Sequence, residues 1–171
     1  MNQKHNMYKK VCLAASIWIF AYFLLQTTVL NSSIHGMSMN PTLADGECTL
    51  GIRVNRDERL SRGDVISFYP PEGSDVYVKR VIGLPGEQVT IDHGTVEVDG
   101  RVLPEAYLEG AWVVDAGPYK FQVPDNCYLV MGDNRNDSYD SRHWTNPYVR
   151  MDDVLAKTCF VYWPLTHARY I

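Results

Sequence analysis

Three short stretches hold side chains whose types suit bond-breaking chemistry. "GMSMNPTL" (Gly36 to Leu43) sets Ser38 between two methionines, "VYVKRVIGLPGE" (Val76 to Glu87) carries Lys79 among apolar residues, and "GDNRNDSYDSR" (Gly132 to Arg142) is dense in charged and turn-forming residues. A serine hydroxyl attacks a carbonyl only when a neighbouring base takes its proton, and the oxyanion so formed needs a donor. His5, His35, His93, His143 and His167 are the conventional candidates for that base, and none has an obvious triad setting. His35 lies three residues before Ser38 and His143 three after Asp140, so spacing alone leaves a Ser-His-Asp arrangement open.

Lys79 is the other candidate. If Val76 to Ile82 form a strand, Lys79 shares a face with Tyr77 and Val81 while Arg80 points the other way. A lysine on an apolar face either snorkels to water or is desolvated. Desolvation disfavours the ammonium, and a three-unit drop from about 10.4 corresponds to about 4 kcal/mol of differential destabilisation. A neutral amine of that kind can deprotonate a serine. Alternation alone does not choose between the two fates.

These residues follow a segment of a different character. From Val11 to Leu30, "VCLAASIWIFAYFLLQTTVL" holds twenty residues without a charge, a glycine or a proline. As a helix it spans about 30 Å, the thickness of a hydrocarbon core. Lys9 and Lys10 just before it place the N-terminus in the cytoplasm and send the rest of the chain across. A cleavable leader would have a shorter apolar run and a small-x-small site, which "QTTVLNSSIHG" lacks. The expected division is therefore residues 1–30, a cytoplasmic N-terminus and transmembrane anchor in the lipid bilayer, and residues 31–171, an exported domain. Beyond position 30, 13 basic residues face 20 acidic ones, a balance of −7, and no block of like charges occurs. Nucleic acid is a poor partner for such a surface.

The exported part, in a chain of 171 residues that is 46% hydrophobic, has room for one packed domain. It reads as mostly β, in short apolar or alternating runs bounded by turn signals. "GDVISFYPP" and "VYVKRVIG" read as strands, and Pro85-Gly86 as a type II turn. "QVTIDHGTVEVDGRVL" forms a meander through His93-Gly94 and Asp99-Gly100. Residues 104–125 hold an extended loop or a small β excursion. "CYLVMGD" and "TCFVYWP" are later strands, and "NPYVRMDDVLAK" supplies a short helical turn with Asn146 or Asn136 as cap. Cys12 falls in the anchor. Cys48, Cys127 and Cys159 show no C-x-x-C spacing, so zinc is unsupported, and at most one disulfide joins the three.

In this order, "SMNPTL", "GDVISF", "YVKRVIGLPGE" and "GDNRNDSYDSR" resemble the motifs of bacterial type I signal peptidases, and the single preceding anchor fits. The similar blocks extend from Ser38 to "FVYWP" at Phe160 to Pro164. The resemblance implies a mainly β, signal-peptidase-like catalytic domain behind one transmembrane helix. It implies a membrane-bound serine endopeptidase with a Ser/Lys dyad, without metal or organic cofactor, that removes signal peptides after small residues of Ala-x-Ala type. Ser38 matches the nucleophile and Lys79 the general base. Ser138 matches a serine that hydrogen-bonds and orients the lysine, Asp140 and Arg142 a supporting ion pair, and Gly132, Asp133, Asn134 and Arg135 the turn beneath. Gly36 stands where some members place a serine at the oxyanion hole, which leaves more of that role to the Ser38 N–H. Thr145 stands where the family usually has glycine.

Met37 and Met39 can offer flexible contacts to lipid or substrate, and a strand edge beside the dyad could accept an extended peptide. Implied partners are exported precursors, the bilayer and the protein-export machinery; the implied place is the cell membrane, single-pass, with the catalytic domain outside. Two other readings stay open. One is a processing peptidase of a single secretion or conjugation system. The other is a non-catalytic membrane-anchored relative, against which the intact Ser38, Lys79, Ser138, Asp140 and Arg142 argue.

Overall fold

The computed structural model describes residues 2–55 and 58–171, with helix side chains from Met7 onward, so the His5 side chain lies outside the description. Helix α1 (Asn2–Thr28) comes first, and its stretch Met7–Thr28 is long and apolar enough to cross a membrane. Its side chains there are exposed all round, the pattern of a helix whose solvent is lipid. The helix stops two residues before the expected end of the anchor. Val29 and Leu30 instead open β1 (Val29–Ser33), antiparallel to β2 (Cys48–Arg53), with Val29 opposite Ile52 and Ser33 opposite Cys48. An apolar run does not say where helix yields to strand; the ladder with β2 decides it here. The helix thus runs into the domain's edge strand without a linker.

The remaining strands are β3 (Val65–Phe68), β4 (Tyr77–Gly83), β5 (Gln88–Asp92), β6 (Thr95–Val98), β7 (Arg101–Val102), β8 (Tyr119–Gln122), β9 (Cys127–Met131), β10 (Tyr148–Arg150), β11 (Val154–Trp163) and β12 (Arg169–Tyr170). One sheet runs β1-β2-β11-β3-β4-β9-β10 with β12 on β11, and a smaller one runs β7-β6-β5-β8. All pairings are antiparallel. The architecture is mainly β, as expected. His93-Gly94 (φ 46° and 78°) and Asp99-Gly100 (φ 50° and 74°) are left-handed at both central positions, which matches the twist of the hairpins they close. The helical turn in "NPYVRMDDVLAK" is a 3-10 turn at Met151–Asp153, preceded by Arg150 and without a side-chain cap. Neither asparagine caps it. Asn146 Oδ1 accepts from Tyr148 N–H, and Asn136 binds residues 111–114 instead.

Three apolar cores meet at β4. Val81 packs with Phe68, Val130 and Trp144, and Ile82 with Val89, Ile91 and Met131 beneath the smaller sheet. Val78 lies against Ile34, Met39, Leu43, Val65 and Val161. Each fully buried side chain of this size contributes about 1.5–3 kcal/mol, so a strand shared by all three cores is held firmly. That strand carries Lys79. The four cysteines are free thiols.

Candidate active site

After β1 the chain makes a tight bend. Ile34 N–H donates to Glu47 O at 2.8 Å, and Gly36, at φ 90°, gives its N–H to Asp45 Oδ1 at 2.8 Å. Asn40 N–H returns to Met37 O and Leu43 N–H to Met39 O. Met39 and Leu43 are sunk in the core, so one of the two methionines flanking Ser38 is an anchor. Met37, 46% exposed, faces outward. Ser38 is carried between them on a bend fixed from below. Among the described residues nothing accepts a hydrogen bond from its backbone N–H.

Lys79 on β4 is 4% exposed, and its Nζ donates to Ser38 Oγ at 2.5 Å. Burial pushes its pKa down to about 8; Asp140 and Asp133 oppose that shift and Arg142 reinforces it. Of the two fates open to an apolar-face lysine, this one is desolvated. Once neutral, the amine presents its lone pair along the contact it already makes. Neither His35 nor His143 hydrogen-bonds Ser38: His143 Nε2 pairs with Asp115 Oδ2 at 2.9 Å and its ring stacks on Tyr139.

The loop after β9 braces both groups. Asp140 receives Arg142 Nε at 2.9 Å and Nη2 at 3.0 Å, Gly132 N–H at 2.9 Å and the Ser138 hydroxyl at 2.7 Å. Burial opposes its ionisation, but Arg142, the Gly132 N–H and the Ser138 hydroxyl outweigh that and hold the carboxyl below its usual range. Ser138 therefore makes no direct bond to Lys79, contrary to the expectation for it. An ionised carboxylate is the stronger acceptor, so the hydroxyl goes to Asp140 and Ser138 reaches the lysine only through it. A Cβ on Gly132 would clash with the Ser138 hydroxyl and the Ser38 carbonyl oxygen, so only glycine fits. Asn134 N–H donates to Ser38 O at 3.0 Å and its side chain to Met37 O at 3.2 Å, which ties this loop to the bend bearing Ser38.

Other supports left no sequence signal. Asp133 is fully engaged by Arg80, through Nε at 2.8 Å and Nη2 at 2.6 Å, and by the Thr42 hydroxyl at 2.5 Å. Arg80, the immediate neighbour of Lys79, thus turns away from it to lock the Gly132–Arg135 turn. Arg135 donates to Gly132 O and pairs with Glu105 at 3.0 and 2.5 Å, Tyr107 OH donates to Glu105 at 2.6 Å, and the Trp112 ring lies 5.1 Å from Arg135 and 5.2 Å from Arg142. Glu105, Tyr107 and Trp112 belong to the irregular excursion between β7 and β8.

Ser38 and Lys79 open onto a cleft of about 800 Å³ walled by Met37, Val76, Tyr77 and Tyr139. Two unpaired strand edges border it. β1 pairs on one side only, and β4 meets β9 only from Arg80 onward, which leaves Tyr77 to Lys79 open on that edge.

Residues 7–163 match the family described as signal peptidase, peptidase S26. The chain is 36% identical over 139 residues to "Probable signal peptidase I-2" of Synechocystis sp., covering 77% of this chain and 62% of that protein. It is 32% identical over 167 residues to signal peptidase I of Bacillus caldolyticus, covering 90% of this chain and 86% of the relative. A crystal structure of a signal peptidase I from Enterococcus faecalis V583 is similar at 29% identity and a TM-score of 0.52, over 58% of this chain and 97% of that one. Agreement over nearly the whole sequence and over the β fold settles the family: the chain belongs to the signal peptidases of peptidase family S26, among the bacterial type I enzymes.

Proposed function

We propose that this chain removes N-terminal signal peptides from precursor proteins, with Ser38 as nucleophile and Lys79 as general base. The observation that supports it most is the 2.5 Å contact between a buried lysine, its pKa lowered to about 8, and a serine hydroxyl on the floor of an open cleft. An extended precursor segment lies between the edges of β1 and β4, adding backbone hydrogen bonds to each, and presents small residues to the wall around Ser38. Neutral Lys79 takes the Ser38 proton as Oγ bonds to the scissile carbonyl carbon. The oxyanion accepts from the Ser38 N–H, because the Gly36 N–H is already held by Asp45. The C–N bond then breaks, and the Lys79 ammonium protonates the departing amine. Water, deprotonated by the same amine, cleaves the acyl ester and frees Ser38.

Ser138, Asp140 and Arg142 position the lysine, and Gly132 to Arg135 hold the bend. Helix Met7–Thr28 anchors the enzyme in the cell membrane with Lys9 and Lys10 on the cytoplasmic side and the catalytic domain outside, beside the export machinery that delivers precursors. The full chain in detergent, given a precursor ending its signal peptide in Ala-x-Ala, is expected to cut after the second alanine, read by N-terminal sequencing of the product. Binding of the precursor without any cut contradicts the proposal and favours the non-catalytic reading.

A further inference from the structure

The cleft has a charge that the dyad does not require. Asp75, just before β4, and Asp137, just before Ser138, both line it and are exposed, and neither carboxylate has a side-chain partner among the described residues. Glu72 adds a third negative group behind the Tyr139 wall, accepting from Thr145 N–H at 2.7 Å and from Tyr139 OH at 3.5 Å. The cations nearest the floor do not offset these, because each already answers a carboxylate: Arg80 with Asp133, Arg142 with Asp140, Arg135 with Glu105. Lys79, 4% exposed, is turned to Ser38, and His35 adds no negative charge. A peptide entering this cleft therefore meets two uncompensated carboxylates, one just before β4 and one in the loop after β9.

We infer that this chain sorts its precursors by charge, with Asp75 and Asp137 favouring basic and disfavouring acidic residues beside the small ones that reach Ser38. This rests on the cleft being the peptide-binding site proposed above. Charges within a few ångströms of one another at a wet surface interact weakly, yet exchanging a positive for a negative residue reverses the sign of both interactions, and salt screens them within about 10 Å at 0.1 M.

The test uses the full chain in non-ionic detergent at about pH 9, where Lys79 is mostly neutral, and matched Ala-x-Ala peptides. They carry Arg, Gln or Glu at the x position or at one of the first two residues after the cut. At low ionic strength at least one position should show kcat/KM about tenfold higher for Arg than for Glu. That ratio should fall below about threefold at high salt, and to near one in Asp75→Asn/Asp137→Asn, each ratio being taken within a single enzyme. Ratios below about twofold at every position, or a preference that survives the double variant, overturn the inference while cleavage of the Gln peptide leaves the proteolytic reading standing. If the unaltered enzyme fails to cut even the Gln peptide, that reading itself has failed.

Discussion

Lys79→Met should abolish cleavage and yet make the folded chain more stable near neutral pH. The loss follows from removing the base: general-base catalysis is worth about 10²–10⁴-fold, and kcat/KM should fall by at least the upper part of that range because, among the described residues, Lys79 is the one side chain hydrogen-bonded to Ser38 Oγ. The gain follows from linkage. Lys79 has a folded pKa of about 8 against 10.5 for the free side chain, chiefly through burial. Below pH 8 the folded protein must carry this ammonium out of water, and stability is reduced by on the order of 3 kcal/mol. As pH rises from 8 to 10.5 the unfolded chain releases its proton as well, and the penalty disappears. Methionine fills the same space without charge. Denaturant midpoints of the full chain in detergent should therefore favour the variant by about 2 kcal/mol at pH 7, and the two proteins should converge by pH 10.5. A variant less stable by the same amount at both pH values would show that the lysine is housed comfortably as a cation.

Ser38→Ala should remove activity as completely. Losing the nucleophile of a serine protease costs on the order of 10⁶ in kcat, and what remains comes from binding and the oxyanion donor alone. The exposed face of the bend and its backbone N–H are unchanged by the substitution, so affinity for a signal peptide should stay within a few-fold, measured by binding of a fluorescent precursor segment. Retained turnover in Ser38→Ala, with loss in Ser138→Ala, would move the nucleophile to the loop after β9. That outcome runs against the geometry, in which the Ser138 hydroxyl already donates to Asp140.

The residues of the candidate site stood out in the sequence as short local patterns, a serine in a turn-forming stretch just past an apolar segment, a lysine at an apolar position of a strand, and a loop of Gly, Asp, Asn and Arg, but only the family resemblance joined them into one site. The hairpins were legible for the same reason, since His93-Gly94 and Asp99-Gly100 specify their own backbone. What stayed hidden depends on contacts between distant parts of the chain. Glu105 and Arg135 are thirty residues apart, and Thr42 and Arg80 reach Asp133 across still longer separations. No spacing rule announces such pairs. Ser138 was placed beside Lys79 by resemblance, whereas a nearby carboxylate competes for its proton. The end of α1 moved for a comparable reason, because pairing with β2 outweighed the apolar continuity of Val29 and Leu30.

Everything proposed for the chemistry depends on residue 79 losing its proton within the working pH range. The most direct measurement is kcat/KM for a short Ala-x-Ala substrate from about pH 5 to 10 with the full chain in detergent, which reports the ionisation of essential groups in the free enzyme. A single ascending limb with an apparent pKa of about 8, unchanged in His35→Gln and His143→Gln, is the predicted result. A limb centred near 6.5 that either histidine substitution abolishes would contradict it and assign the base to an imidazole.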